Sequence, residues 1–383
     1  MGGEDRSVKT CRIDLVVGTR PNIVKLSPLA RVLQSQDWCE PRIVFIGQHT
    51  SPSLSDEIIE DLGVDQSIIR YLPLERAGFG ARLGEIISTY SRLLAEETPD
   101  MVVVFGDVDV TLGAALAAKR SLLPLVHIEA GLRSGDRSMP EEINRVVVDS
   151  ISDLFFAPSE DAFNNLVFGE AKNADAVCLA GNIMIDSLAA ALDERAKAEI
   201  AARLGVSAGK FAVATFHRPS NVDTEAGLLE VIGLVEYLAE RLEVVFPLHP
   251  RTEAALARTG LRERIAANAA IRDVTAMRYR EFINLLALPA ALVITDSGGI
   301  QEETSYLGVP CLTYRENTER PVTVRSGTNM LVNRYDARAM IDSVLAESDR
   351  RATRPDIPLW DGRTAYRIAS SLYTWWSARA ARN

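Results

Sequence analysis

Short, almost unbroken runs of aliphatic residues alternate with amphipathic stretches along most of this 383-residue chain. Runs of about five residues suit strands that are buried on both faces of a parallel sheet. They lie at Ile13–Val17, Arg42–Gly47, Met101–Phe105, Pro124–Ile128, Phe211–Phe216, Val244–Leu248 and Ala291–Thr295. Helical spacing is found between such runs, at Pro28–Gln34, Leu83–Glu96, Leu112–Arg120, Ile183–Ala201 and Leu228–Leu238. The alternation predicts βαβ units and therefore a doubly wound α/β fold.

The length predicts two domains, because a domain commonly holds about 100–200 residues. A long Ala/Glu/Arg-rich stretch ends in LGVSAGK and a new strand, FAVATFH, follows it, so the best boundary lies between Gly181 and Lys210. We predict one Rossmann-like domain over residues 1–180 and a second over residues 206–363. An apolar-striped helix over residues 364–383 is expected to pack back onto the first domain.

Composition argues against several classes of function. A net charge of −10 leaves no broad basic surface for coating a nucleic acid, although a few cations inside one cleft can still hold a compact anion. The four cysteines lack CxxC or Cys/His ligand spacing, so we expect reduced thiols rather than a zinc site or a disulfide framework. No run has the length of a signal peptide or a membrane span. We therefore expect a cytoplasmic protein with no nucleic-acid or membrane partner.

Polar side chains follow nearly every predicted strand, at the ends where open α/β sheets bind their ligands. In the first half these segments are Gly18-Thr19-Arg20-Pro21-Asn22 with Lys25 one turn later, Gly47-Gln48-His49, Gly106-Asp107 and His127-Ile128-Glu129. In the second half they are His217-Arg218, His249-Pro250-Arg251 and Asp296-Ser297-Gly298-Gly299. One strand-end histidine is more often structural than functional, but all four histidines of the chain lie in these segments. None is paired at helical ligand spacing, so we expect no metal site.

Two of the turns favour the binding of an anion. Ser297-Gly298-Gly299 opens a helical stretch, where backbone N–H groups and the helix dipole attract phosphate, although a plain left-handed turn has the same pattern. The first turn, GTRPN, is not GxGxxG, which argues against a dinucleotide cofactor. Arg20 and Lys25 suit a phosphate or a carboxylate, and each taken alone is equally a solvated surface cation.

The segment PEEINR has the composition of a helix start, with Pro140 in the first turn and acidic residues near the positive end of the dipole. That structural explanation is strong for Glu142. Glu141 and Arg145 are four residues apart and are expected to share a helix face. A helix of this kind after a polar loop can aim one carboxylate into a cleft.

Eight segments occur in one order, namely GTRPNIVKLSPL, GQH, VFGDVDVTL, HIEAGLRSGDRSMPEEINR, GNIMIDSL, TFHRPSNV, TDSGGIQEE and ENTERPVTVRSGT. From about residue 13 to about residue 332 they resemble the motif series of the non-hydrolysing UDP-N-acetylglucosamine 2-epimerases. The resemblance implies two Rossmann-like domains of the GT-B type, with the sugar nucleotide in an interdomain cleft. It also implies a homodimer that needs no cofactor.

The resemblance further implies a reaction, the reversible epimerisation of UDP-N-acetylglucosamine to UDP-N-acetylmannosamine at C2. UDP leaves by anti elimination through 2-acetamidoglucal and then adds back. The residues that match the family's sugar-side carboxylates and its histidine beside the diphosphate are Asp107, Glu129, Glu141 and His217. Those that match its substrate-binding residues are Arg20, Lys25, Arg145, Phe282 near the uracil, Ser297, Gly298, Gly299, Glu303 at the ribose, and Arg320 of the TERP motif.

Some positions depart from the commonest family pattern and leave alternatives open. In bacterial members a second, allosteric site for UDP-N-acetylglucosamine involves residues that match Gln48, His49, Arg218 and His249, but the flanking residues differ here. The short loop from Glu129 to Glu141 resembles archaeal members and also 2-epimerases of a UDP-2,3-diacetamido uronic acid, whose extra carboxylate would call for a cation such as Arg133 or Arg137. A hydrolysing epimerase, a GT-B glycosyltransferase and a catalytically inactive sugar-nucleotide-binding protein are the remaining alternatives.

Overall fold

The computed structural model describes residues 10–47, 63–275, 277–347 and 354–380, without the side chain of Arg20. The predicted residues Gln48 and His49 lie outside these ranges. The chain divides into two compact units, one formed by Met1–Ser187 with Pro358–Asn383 and the other by Leu188–Ile357. No helix in the described ranges is long and apolar enough to cross a membrane.

The first unit is built on a parallel sheet of seven strands in the order β3-β2-β1-β4-β5-β6-β7. These strands are β1 Cys11–Val17, β2 Cys39–Gly47, β3 Ile69–Pro73, β4 Met101–Phe105, β5 Leu125–Ile128, β6 Leu154–Ala157 and β7 Val177–Leu179. Its helices are α1 Arg20–Gln34, α2 Phe79–Glu96, α3 Asp109–Arg120, α4 Pro140–Ile151 and α5 Glu160–Asn164, and the boundary between the two units falls within α6 Ile183–Ala191. Every residue of β4 and β5 is buried, which explains why these strands are continuous aliphatic runs in the sequence.

The second unit is built on a parallel sheet of six strands in the order β10-β9-β8-β11-β12-β13. These are β8 Phe211–Thr215, β9 Glu243–Pro247, β10 Ile271–Val274, β11 Leu292–Thr295, β12 Cys311–Tyr314 and β13 Asn329–Val332. Its helices are α7 Glu194–Leu204, α8 Pro219–Val222, α9 Glu225–Ala239, α10 Pro250–Thr259, α11 Arg262–Ala266, α12 Tyr279–Ala287, α13 Gly298–Leu307, α14 Pro321–Arg325 and α15 Ala337–Ala346. Two parallel sheets with interleaved helices confirm the predicted α/β class.

The last helix, α16 Thr364–Ala380, packs against α1 in the first unit. Its apolar face is buried at Ile368 and Leu372. Its first turn is held by Asp186, whose carboxylate accepts hydrogen bonds from the backbone N–H groups of Thr364 at 3.1 Å and Ala365 at 2.8 Å. An acid at this place satisfies donors that have no partner within their own helix.

The stretch Ile183–Ala201, predicted as one helix, is in fact two, α6 and α7. Asp193 causes the break, because its side chain caps α7 by accepting from the backbone N–H groups of Arg195 at 2.9 Å and Ala196 at 3.3 Å. Helix α7 then buries Ile200 and Leu204 in a core cluster of the second unit. The second unit therefore begins at Leu188, earlier than the predicted residue 206, and ends at Ile357.

Candidate functional site

The first group of candidate residues lies at the carboxyl end of the first sheet, where the neighbouring strands β1, β4 and β5 end. Lys25 on α1 forms an ion pair with Glu129, which follows β5. The two residues are 8% and 6% exposed. Breaking such a buried pair by removing one partner costs about 3–5 kcal/mol, because the other charge is left uncompensated. The pair therefore fixes the position of the Glu129 carboxylate.

Asp107, at the end of β4, forms an ion pair with Arg145 on α4. Asn144 donates a hydrogen bond from its side-chain amide to the backbone carbonyl of Asp107 at 2.8 Å. The other side of the Arg145 guanidinium lies 3.3 Å from the Glu142 carboxylate. Two adjacent side chains of α4 thus fix both the backbone and the carboxylate of Asp107.

Glu142, rather than Glu141, is the inward-facing carboxylate of this helix. It accepts hydrogen bonds from the backbone N–H groups of Ser134 at 2.9 Å and Gly135 at 3.1 Å, and so fixes the loop before α4. Glu141 is exposed, and it makes no hydrogen bond or ion pair with a described residue. Glu141, the third predicted carboxylate, therefore lies at the start of α4, and its side chain bonds to no described residue.

Glu129 has a backbone conformation that is unusual for a residue with a side chain. Its φ angle is +69°, in the left-handed region, which costs about 1–2 kcal/mol in a non-glycine residue. The backbone N–H groups of Glu129 and Ala130 both donate to the carbonyl of Phe156, at 3.1 Å each. Strain of this kind is typical of functional positions, where the surrounding structure imposes a geometry.

In the second unit, the ends of β8, β9 and β11 bring His217, His249 and Asp296 together. The rings of His217 and His249 have their centroids 5.1 Å apart. The Asp296 carboxylate is fully buried and accepts from the backbone N–H groups of His217 at 3.0 Å and Arg218 at 2.9 Å. Burial alone would raise the pKa of Asp296, but the facing His217 side chain and the surrounding donors hold it below its usual value.

Asp296 therefore holds the loop after β8 in place through its carboxylate. The sequence did not predict this role. Arg218 and His249, predicted for a second site, lie beside His217 here. The guanidinium of Arg218 donates to the Asp296 carbonyl at 3.0 Å. The second site itself stays a prediction, because its other two members are outside the described residues.

Helix α13 begins with the predicted glycines, and a cation lies over its first turn. A Cβ atom added to Gly298 would be 2.6 Å from a guanidinium nitrogen of Arg320, whereas one added to Gly299 would meet nothing within 4 Å. The missing side chain at Gly298 thus allows Arg320 to approach the N-terminus of the helix. A helix N-terminus and an arginine together are suited to phosphate groups.

Arg320 is part of a buried chain of alternating charges. It forms ion pairs with Glu319 and with Glu302, the latter at 2.8 Å. Arg315 in turn lies 2.8 Å from Glu319. Of these four residues only Arg320 was predicted from the sequence. Glu319, which precedes it in the TERP motif, is the sequence feature that could have indicated an ion-pair cluster here.

Glu303, at the next position of α13, is 4% exposed, and no cation of the described ranges lies beside it. Burial, with the adjacent Glu302 charge, raises its pKa from 4.5 to about 8, although the nearby Tyr279 hydroxyl lowers it in part.

Phe282 on α12, which was predicted to lie near the uracil, is half-buried and packs against a core cluster of the second unit. Within the described ranges, no group of three or more histidine, cysteine or acidic side chains is arranged for a metal ion.

Residues 31–373 match a protein family described as UDP-N-acetylglucosamine 2-epimerase. The UDP-N-acetylglucosamine 2-epimerase of Methanocaldococcus jannaschii is 36% identical over 328 residues, which are 84% of this chain and 88% of that protein. The UDP-2,3-diacetamido-2,3-dideoxy-D-glucuronate 2-epimerase of Pseudomonas aeruginosa is 34% identical, over 94% of this chain and 99% of that one. A crystal structure of the M. jannaschii enzyme with UDP-GlcNAc and UDP has a TM-score of 0.86 at 34% identity, covering 95% and 99% of the two chains.

Proposed function

Because the chain belongs to the UDP-N-acetylglucosamine 2-epimerase family, we propose that it interconverts UDP-N-acetylglucosamine and UDP-N-acetylmannosamine. The observation that carries the proposal is the pair of carboxylates, Asp107 and Glu129, at the ends of adjacent strands. Each is held by its own cation. Carboxylates fixed in this way are suited to moving a proton to and from carbon.

The proposed reaction balances without a redox cofactor. A base removes the C2 hydrogen as a proton, its electron pair forms the C1–C2 double bond, and the C1–O bond breaks with its electrons on UDP. A proton then returns to the opposite face of C2, and UDP adds back to C1. We assign the acid and base roles to Asp107, Glu129 and Glu141, and the ion pairs with Lys25 and Arg145 support this assignment by fixing two of the carboxylates in place.

We assign the nucleotide to the second unit. The diphosphate would bind at the N-terminus of α13, with donors from His217 and Arg320. Glu303 would accept hydrogen bonds from the ribose hydroxyls, and the ionised carboxylate, with two acceptor oxygens, is the stronger acceptor. Since burial raises its pKa to about 8, UDP binding near neutral pH should release a proton. Arg20 and Phe282 complete the proposed set, at the first turn and near the uracil.

One contact favours UDP-N-acetylglucosamine over the diacetamido uronate. The uronate carries an extra carboxylate that needs a cation. The Arg133 guanidinium is already bonded to Asp149 at 2.6 Å and to Glu170 at 2.8 Å. Of the two cations considered, only Arg137 therefore remains for the uronate carboxylate. Arg137 is exposed and forms no ion pair within the described residues. We also propose a cytoplasmic homodimer, and the small number and wide spacing of the cysteines in the sequence support a reducing compartment.

The test is to incubate the protein with each UDP-sugar in D₂O and to follow C2 by NMR. We expect UDP-N-acetylglucosamine to gain deuterium at C2 while UDP-N-acetylmannosamine forms. Asp107→Asn should abolish both signals, whereas the matched surface variant Asp175→Asn, at an exposed aspartate of the same unit, should keep them. Exchange with the uronate alone would move the substrate assignment to that sugar, and exchange with neither would refute the epimerase proposal.

A further inference from the structure

His127, the third residue of β5, has no exposed surface, and both of its ring nitrogens face oxygen atoms. Nδ1 lies 2.6 Å from a carboxylate oxygen of Asp149 on α4, and Nε2 lies 2.8 Å from the backbone carbonyl of Gly106. A carbonyl oxygen only accepts hydrogen bonds, so Nε2 must carry a proton. The state of Nδ1 then depends on whether Asp149 is ionised.

The surroundings of Asp149 show that it is a carboxylate. Its second oxygen accepts from the backbone N–H of Gly131 at 3.0 Å and from the Arg133 guanidinium at 2.6 Å. The Arg133 guanidinium and the Gly131 N–H favour the ionised form of Asp149 independently of His127. An ionised carboxylate also only accepts, so Nδ1 of His127 must be a donor as well.

We propose that His127 donates from both ring nitrogens, as a buried imidazolium, and thereby positions the catalytic segments of the first unit. The inference rests on the proposed epimerase function for what those segments do, but not for the charge on the ring. Gly106 immediately precedes Asp107, and Gly131 follows Glu129 by two residues. Asp149 lies two helical turns after Glu141 on the same helix. One histidine–aspartate pair therefore joins all three segments.

The charge on the His127 ring strengthens the hydrogen bonds that hold these segments in place. Glu129 has left-handed backbone, with a φ angle of +69°, so its turn needs support, whereas glycine at position 106 adopts its φ of +63° without strain. The charged groups around the ring are Asp149 on α4, then Arg133 and Glu170 beyond it. Asp107 and Glu129 have their own cations, as described above. The cluster of two cations and two anions is balanced, so an imidazolium is tolerated without solvent.

The first experiment measures the protonation of the ring directly. The chain has only four histidines, so ¹⁵N-histidine labelling of the whole protein gives few signals, and His127→Gln identifies the one from His127. We expect two protonated ring nitrogens at neutral pH, because both face acceptor oxygens. One protonated and one unprotonated nitrogen at neutral pH would overturn the inference.

The second experiment separates positioning from folding. His127→Gln keeps one donor but loses the link between Gly106 and Asp149, so kcat should fall about 10- to 100-fold, because small displacements of catalytic groups are costly. The calorimetric Kd for UDP should stay unchanged, because its proposed residues other than Arg20 are in the second unit. The matched control is Tyr90→Phe, which removes a 2.9 Å hydrogen bond to buried Asp14 in the same unit and should keep kcat.

A kcat within twofold of wild type in His127→Gln, or an equal loss in Tyr90→Phe, would refute the positioning role. Should His127→Gln not fold, Asp149→Asn takes its place. That variant keeps the shape of the partner but removes its charge, so it should lower kcat similarly and give a neutral His127 ring in the NMR spectrum. A wild-type protein that turned over no UDP-sugar would contradict the proposed function, while the ring signals would still decide the charge on His127.

Discussion

Glu303 makes the free energy of unfolding of the second unit depend on pH in an unusual direction. The native carboxyl has a pKa of about 8, against 4.5 for the ordinary group, so the native state keeps a proton that the unfolded state releases. The stability contributed by the neutral carboxyl is fully present below about pH 4.5 and is lost as the pH rises through about 8. At 1.36 kcal/mol per pH unit, raising the pH from 5.5 to 7.5 should cost the wild type about 2.5 kcal/mol.

Glu303→Gln should lose this dependence, because glutamine has nearly the same shape and does not titrate. All four tryptophans lie in the first unit, so their fluorescence does not report on this effect. We would instead measure amide hydrogen exchange in β11 and α13, comparing variant and wild type at the same pH so that intrinsic exchange rates cancel. The variant should gain about 2.5 kcal/mol relative to wild type between pH 5.5 and 7.5.

The matched control is Glu253→Gln, at an exposed glutamate of the same unit that pairs with no described residue. The difference in free energy of unfolding between Glu253→Gln and wild type should be the same at pH 5.5 and at pH 7.5. A flat difference for Glu303→Gln as well, or one of opposite sign, would show that Glu303 is ionised in the native protein and that its burial does not govern its charge.

Four further outcomes are expected. Gly298→Ala should displace Arg320 and weaken calorimetric UDP binding about tenfold or more, whereas Gly299→Ala, with open space at Cβ, should bind normally; equal affinities would contradict the phosphate assignment. His217→Ala should likewise raise the Kd for UDP, and an unchanged Kd would remove it from the site. Dialysis against EDTA should leave turnover intact, and rescue by one divalent ion would disprove this. Turnover should fall about 10²- to 10⁴-fold, with little change in UDP affinity, in Asp107→Asn, Glu129→Gln and Glu141→Gln.

The sequence predicts the middle of each sheet better than its edges. Central strands such as β4 and β11 are buried on both faces and are therefore continuous aliphatic runs. The edge strand β3, IRYLP, has no fully buried residue, and β10, IRDV, has only one, so neither stands out from a polar loop. Strand pairing, rather than composition, makes them strands.

The same limit applies to the candidate sites. Lys25 and Arg145 were predicted from their motifs, but the acids that organise the sites were not. Glu142 has the sequence character of an ordinary helix-start acid, and Asp149 that of a helix-surface acid. Their roles depend on partners brought near by the fold, as for Asp149 and His127, which are 22 residues apart in sequence.

The return of the chain to the first unit after Pro358 constrains how the protein is made. The ribosome must synthesise the whole of Leu188–Ile357 before the residues of α16 exist, which at about 5–20 residues per second takes roughly 10–30 s. During that interval Asp186 has no α16 N–H groups to accept from, and the face of α1 that α16 covers stays open to solvent. The second unit, whose residues are continuous in sequence, is free to fold first. The unit that holds the proposed catalytic carboxylates is therefore the last to be completed during translation.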